Sequence, residues 1–400
     1  MKQCVETDIA IIGGGIAGLW LLNRLRQQGL SVILLESDTL GGDQTHKSQG
    51  IIHGGIKYAL QGVFTKAAEA IANMPLLWKK CLDGMGEINL SQVPILSTQQ
   101  YLWSTGSLTS KLAGFFAGFT LKSNISSVQK ESYPDIFQHT QFTGHVYSLD
   151  EIVIDAHALI RELMKPHRDV IFKVDPMQAH QLQFDENNYL TSLQINAAPM
   201  QPLEVKAQKY IFTAGSGNEL ILNKWANPPV TMQRRPLHMV IMKGKTLPPL
   251  FAHCLGKSST PRITVTTHQT EDDNQVWYLG GHLAEEGVQR TSAEQIDFTR
   301  KELQVLFPWQ NFEEVSFTSF FVDRAESLQL DGSRPSSCYM KEVGNTIVAW
   351  PTKLALAPQL SHEIIACLHS ANITPCVADM RALRAWPIPA IAKPIWDQLF

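Results

Sequence analysis

A stretch of about thirty residues near the N-terminus restricts the fold more than any other part of the 400-residue chain. Asp8–Ile12 (DIAII) reads as a short apolar strand and Gly13–Gly18 (GGGIAG) as a turn. The residues to about Gln28 then carry Ala17, Leu21 and Leu25 on one helical face. Gly29 stops the helix, and Ser31–Glu36 (SVILLE) is a second strand. In Gly13-x-Gly15-x-x-Gly18 each glycine has a separate reason. Gly13 permits the tight turn, Gly15 lets the backbone approach a pyrophosphate, and Gly18 lets the helix pack on the sheet. The helix start, with Ile16 and Ala17, offers unpaired N–H groups and the positive end of the helix dipole to phosphates. Glu36 ends the second strand where a carboxylate can accept from ribose hydroxyls. The pattern predicts a dinucleotide site without choosing between FAD and NAD, and the carboxylate disfavours a 2′-phosphate.

Further along, Asp155–Met164 reads as a helix capped by Asp155, followed by strand patterns at Val170–Val174, Gln181–Phe184, Leu190–Ile195 and Tyr210–Ala214. From about Trp225 longer alternating strands appear at Val230–Lys243, Ile263–Thr267, Val276–Gly280 and Phe317–Val322. Helices are expected over Ser292–Phe307 and Ala357–Leu368, with a strand at Thr346–Ala349 between them. The expected fold is α/β (α+β overall): a Rossmann-like nucleotide-binding domain with an inserted, mostly antiparallel β domain. The first would comprise residues 1–90, 145–225 and 330–384, the second 91–144 and 226–329, with 385–400 as a tail.

A composition of 44% hydrophobic and 18% charged residues excludes disorder. The net charge of -3, with no basic run, argues against nucleic acid as a partner. No stretch reaches the roughly 18 uninterrupted apolar residues of a spanning helix. The N-terminus enters a strand without an apolar leader core, so a cytoplasmic location is expected. The tail AWPIPAIAKPIWDQLF offers Trp386, Ile395, Trp396 and Phe400 to a membrane surface, but its prolines forbid a continuous amphipathic helix and favour packing back on the protein. The six cysteines form no C-x-x-C pair and read as isolated thiols. Neither they nor His362 and His369 have zinc spacing, so no metal is expected.

After the second strand, Gly41–Leu60 (GGDQTHKSQGIIHGGIKYAL) contains Gln44, Thr45, Gly50, Ile52, His53, Gly55 and Tyr58 in a spacing that resembles the FAD-contacting segment of the D-amino-acid-oxidase-type flavoproteins. It is most similar to their L-2-hydroxyglutarate oxidase and FAD-dependent glycerol-3-phosphate dehydrogenase branches. TAGSGN (213–218), RRPLHMV (234–240) and DGSRP (331–335) resemble further segments of that superfamily in the same order. The residues also have a direct reading: Gly50, Gly54 and Gly55 let backbone pass close under a flat ring, with His53 and Lys57 beside it. Thr45, Lys47 and Ser48 can donate to phosphate or ring edges.

The resemblance implies FAD as cofactor, with Ile52, Val174 and Gly215 near it, Val174 giving backbone contacts to the adenine. It implies that Arg334 grips the anionic end of a substrate, a task suited to a guanidinium fork. It places His238 near the flavin, as a group able to take a hydroxyl proton. Lys57 stands where the glycerol-phosphate branch carries arginine. Relatives place a glycine-rich turn before the last helix, where this chain reads Ala349-Trp350-Pro351-Thr352-Lys353-Leu354. Either the backbone stands further from the ring there, or Lys353 supplies positive charge to it.

The expected function is oxidation of a C–H bond of a small anionic hydroxy acid or amino acid by hydride transfer to FAD. The alternatives are an amine or RNA-linked substrate, or a flavin-binding protein without catalysis. A single dinucleotide fingerprint argues against NAD as co-substrate and leaves oxygen, a quinone or another carrier as electron acceptor.

Overall fold

The computed structural model describes residues 3–54, 71–105, 125–174, 181–186, 189–195, 201–225, 227–256, 260–371 and 373–400. Its first sheet contains β1 (Gln3–Ile12), β2 (Val32–Glu36), β9 (Ile171–Lys173), β10 (Gln181–Phe184), β11 (Leu190–Ile195), β12 (Leu203–Phe212), β18 (Tyr339–Val343) and β19 (Thr346–Trp350). Five of these, in the order β9-β2-β1-β12-β19, are mutually parallel. Numbered by appearance among those five, the order is 3-2-1-4-5, the doubly wound arrangement whose crevice opens where the order reverses, between β1 and β12. β1 begins at Gln3, five residues before the apolar run read from the sequence, because its first residues pair with Leu203–Lys206 of β12.

Helix α1 (Ile16–Gln27) lies against the sheet beside α3 (Ala156–Met164) and α7 (Ala357–Ser370). Leu19, Trp20, Leu22 and Leu25 of α1 are fully buried with Leu159, Leu163, Leu360 and Ile364. Asp155 caps α3 by accepting from the Ala158 amide at 2.9 Å, as its sequence implies. Between α1 and α3 lies α2 (Met74–Leu82), whose Trp78 packs on Trp20.

The second sheet runs β17-β13-β16-β15-β14-β5-β7-β6. These are β5 (Gln100–Trp103), β6 (Ile125–Ser127), β7 (Val146–Leu149), β13 (Met232–Gly244), β14 (Ala252–Cys254), β15 (Ile263–Gln269), β16 (Gln275–Gly280) and β17 (Ser316–Ser327). All its pairings are antiparallel except β5 with β14. Helix α6 (Ser292–Leu306) covers one face, opened by a capping box between Thr291 and Glu294. A small third sheet, β3 (Ile51–Ile52), β8 (Ile152–Ile154) and β4 (Ile95–Ser97), lies beside these two.

The C-terminal tail packs back on the protein. Leu40 donates to Ala390 O at 2.8 Å, Ala392 donates to Leu40 O at 3.0 Å, and Trp396 stacks on buried His268 with ring centres 4.2 Å apart. No disulfide joins any of the six cysteines; Cys81 and Cys254 are buried, Cys4 and Cys376 exposed. Among the described residues no helix is long and apolar enough to cross a membrane.

Candidate active site

The crevice between β1 and β12 opens into a cavity of about 660 Å³ shared by both large sheets. Its first wall is the glycine turn. Gly13 has φ +111°, and a Cβ there would stand 2.6 Å from Ala214 Cα, so the turn must pass against the end of β12 without a side chain. A Cβ on Gly18 would lie 2.0 Å from Gly13 O, which is the close helix–turn packing expected of it. Gly15 differs: a Cβ there would come no nearer than 3.3 Å, to Thr45 Oγ1, and the residue lines the cavity with Ile16 and Ala17. α1 has no acidic residue in its first turn and its N-terminus faces the cavity, with Ile16 N held by Thr45 Oγ1 and Gly14 N by the Glu36 carboxylate.

Glu36 lines the same space and is fixed from two sides. Its Oε2 accepts from Gly14 N at 2.6 Å and its Oε1 from Asp38 N at 2.9 Å. Thr45 Oγ1 accepts from Ile16 N at 3.2 Å, and Lys47 Nζ pairs with Asp43 at 3.3 Å. Ser48 Oγ is buried on the cavity wall with no hydrogen-bond partner. A buried hydroxyl without a partner is costly until a ligand satisfies it. On the opposite side Gly215, at φ +57°, lines the cavity and accepts from Trp350 Nε1 at 3.0 Å. These groups fit a dinucleotide: a side-chain-free turn, the N-terminus of α1 at the cavity, a strand-end carboxylate and an unsatisfied hydroxyl.

The second sheet, with the segments that follow β17 and β19, supplies the rest of the wall. Leu237, Met239 and Val322 give it an apolar surface, and Arg324, Arg334 and Lys353 bring positive charge. Arg324 donates to Arg235 O at 3.1 Å and lies 3.4 Å from Glu285 Oε1. Burial, with repulsion from Arg235 and Arg334, pushes its guanidinium down to about 10, which leaves it charged at neutral pH. Thr352 takes the left-handed backbone, φ +58°, where relatives are expected to have glycine, and its hydroxyl donates to Ser337 O at 3.0 Å. Thr352 and Lys353 both line the cavity.

His53 also lines the cavity, next to buried Glu151 and His253, whose nitrogen and oxygen atoms lie within 4.8 Å of one another. No metal was expected from the sequence, and its spacing gave no warning of this group. Glu151, His253 and Arg324 were not singled out from sequence. An arginine within the alternation of SFFVDRAES was a signal for the last; nothing local marks the other two.

Four expectations are corrected. His238 is fully buried and does not line the cavity, because β13 alternates: Leu237 and Met239 face the cavity while His238 points to the other side. There its Nδ1 meets Gly287 O and its Nε2 meets Ser319 Oγ, both at 2.9 Å, and its ring stacks on Phe321. Ile52 lies in the core, and Ile51 lines the cavity instead, for the same reason of alternation in β3. Gly50 serves packing: at φ +71° a Cβ would lie 2.1 Å from Ile154 O. Val174 is buried in the sheet, off the cavity wall, with its amide donating to Glu36 O at 2.8 Å. Lys57, Gly55 and Tyr58 lie outside the described residues.

Comparison with known proteins agrees with this geometry. A family model described as FAD dependent oxidoreductase matches residues 8–332. A probable FAD-dependent oxidoreductase of Pseudomonas aeruginosa is 44% identical over 404 residues, covering 100% of both chains. The crystal structure of an FAD dependent oxidoreductase from that organism superposes with a TM-score of 0.85 at 41% identity, over 100% of this chain and 99% of its own. L-alpha-glycerophosphate oxidase from Mycoplasma pneumoniae, solved with FAD bound, shares the fold with a TM-score of 0.63 at 14% identity, over 99% of this chain and 98% of its own. The family match over most of the chain, and a cavity wall whose donors suit a dinucleotide, lead to one conclusion: this chain belongs to the FAD-dependent oxidoreductase family.

Proposed function

We propose that the enzyme oxidises a C–H bond of a small anionic hydroxy acid or amino acid, whose charged end is held by Arg334 with Arg324. The observation that carries this reading is a single cavity lined both by the dinucleotide turn and by two arginines, Arg324 on β17 and Arg334 in the segment that follows it. FAD, when bound, accepts the hydride; the protein orients substrate and sets the local charge. Gly13, Gly15 and the start of α1 would hold the pyrophosphate, Glu36 the ribose, and Ser48, Gly215 and Lys353 the remaining polar edges. A guanidinium presents two parallel donors to a carboxylate, which fixes the turn of the substrate as well as its position. The apolar surface of Leu237, Met239 and Val322 lowers the local dielectric and strengthens that contact.

The division into an FAD-binding part (1–90, 145–225, 330–384) and a substrate part (91–144, 226–329) is supported by the two large sheets, with β7 at Val146–Leu149 joining the second. Oxygen, a quinone or another carrier would reoxidise the flavin. The test is a panel of hydroxy acids, amino acids and neutral amines, scored by loss of flavin absorbance without oxygen. Bleaching by small anions is expected. Bleaching by neutral amines alone would overturn the reading.

A further inference from the structure

Gln44 belongs to the segment after β2 and lines the cavity, yet it bonds to the second sheet. Its Oε1 accepts from Ala325 N at 3.1 Å. β17 is the last strand of that sheet, paired with β13 on one side only. An edge strand turns alternate N–H groups away from its ladder, and Gln44 takes the one directly after Arg324. The segment that carries Gln44 is itself pinned to the same sheet. Tyr278 Oη donates to Lys47 O at 2.6 Å, and Gln49 Nε2 donates to Tyr278 O at 2.8 Å. Tyr278 lies in β16 and is fully buried, so these contacts give Gln44 a fixed base from which to hold the strand edge.

Arg324 has particular need of such a hold. Its side chain is 14% exposed and shares the cavity face of β17 with Val322, two residues away. Its Nε donates to Arg235 O at 3.1 Å, and Glu285 Oε1 lies 3.4 Å from its Nη1. Arg235 stands opposite it in the ladder and is paired with Glu326. Burial, and then the like charges of Arg235 and Arg334, weigh against a charged guanidinium there more than Glu285 and Glu326 favour it. Repulsion favours any conformer that carries the group out of the cavity. Its place therefore rests on where the backbone of β17 is held.

Resting on the reading that Arg324 helps to hold a small anion, we propose that Gln44 is a positioning residue: by taking the Ala325 amide it fixes the stretch of β17 that aims Arg324 into the cavity. It thereby links the segment after β2, on the cofactor side of the cavity, to the grip on the substrate. The contact uses only the side-chain oxygen. A carboxylate at the same place accepts as well, and a methionine sulfur accepts weakly. A residue that merely covered a strand edge would have no effect on anions; one that aims Arg324 acts on them, and only while Arg324 is present.

The test uses the holoenzyme and oxalate, an anion with no C–H bond to lose, titrated against flavin absorbance per bound FAD. Gln44→Met should weaken oxalate by about 3–10-fold, the scale of one lost hydrogen bond. In an Arg324→Ala background the same change should add nothing. If oxalate leaves the wild-type flavin unperturbed, KM for the anion that bleaches it takes the place of oxalate affinity. Hydrogen exchange of the Ala325 amide is the second measurement. It should be faster than wild type in Gln44→Met and as slow as wild type in Gln44→Glu. Equal anion affinity in wild type and Gln44→Met overturns the proposal. So does a loss of the same size without Arg324, which would make Gln44 a direct ligand or a general support of the fold. If no small anion binds or bleaches the flavin, the proposed function fails. Amide exchange then decides Gln44 by itself: faster exchange in Gln44→Met upholds its hold on β17, and unchanged exchange overturns it.

Discussion

The amide of Gly14 donates to Oε2 of Glu36 across 2.6 Å, so the carboxylate at the end of β2 ties down the glycine turn as well as lining the cavity. Glu36→Ala therefore removes both a cavity-wall acceptor and a support of the turn. FAD affinity should fall by roughly 1–3 kcal/mol, the scale of lost hydrogen bonds to a charged group. Titration of apoprotein with FAD, followed by flavin fluorescence, measures it, and unchanged affinity would move the ribose contact to another residue.

Gly13 and Gly15 should separate folding from cofactor binding. Gly15 has ordinary backbone angles and an open neighbourhood, so Gly15→Val should fold and lose FAD as its methyls enter the cavity. Gly13→Val meets the backbone of Thr213 and Ala214 and a left-handed φ, so the apoprotein itself should be destabilised, by more than about 2 kcal/mol. Urea melts of the two apoproteins make the comparison free of ligand-linked stability. Equal midpoints would contradict it.

Arg334→Lys should raise KM and lower kcat, since a lysine keeps the charge and loses the fork, and a misplacement of about 1 Å can cost 100-fold in rate. FAD content and melting temperature should stay nearly unchanged. Normal turnover per bound flavin in this variant would make Arg334 a structural residue and remove the main support for an anionic substrate.

His238→Ala should behave in the opposite way. Both ring nitrogens are satisfied away from the cavity, so truncation leaves a void and two unpaired partners, a loss of about 2–4 kcal/mol of stability. Turnover per bound flavin should not change. A specific loss of kcat at unchanged stability would restore His238 to the reaction.

His268 makes stability depend on pH. Burial beneath Trp396 pushes its pKa down to about 3, against an ordinary value of about 6.5 in the unfolded chain. Between those values the unfolded chain binds a proton that the folded chain refuses, so stability falls as pH drops below about 6.5. From pH 7 to pH 5 the wild type should lose roughly 2 kcal/mol through this group, and His268→Gln should lack that part of the slope. Identical slopes in urea melts at the two pH values would show that His268 is not responsible.

Sequence alone determined the nucleotide half, because its requirements are local. Gly13 to Glu36 act within one strand–turn–helix–strand unit, and each turn glycine answers to a neighbour a few residues away or to the adjoining strand. The capped start of α3 was legible for the same reason. Only tertiary structure decided which side chains meet in the cavity. His53 and Glu151 are 98 residues apart, and their contact depends on β3 pairing with β8. His253 and Arg324 reach the same cavity through the register of the second sheet. That register also turned His238 and Ile52 away, since a strand alternates its faces at every residue and a motif match does not specify which face looks inward.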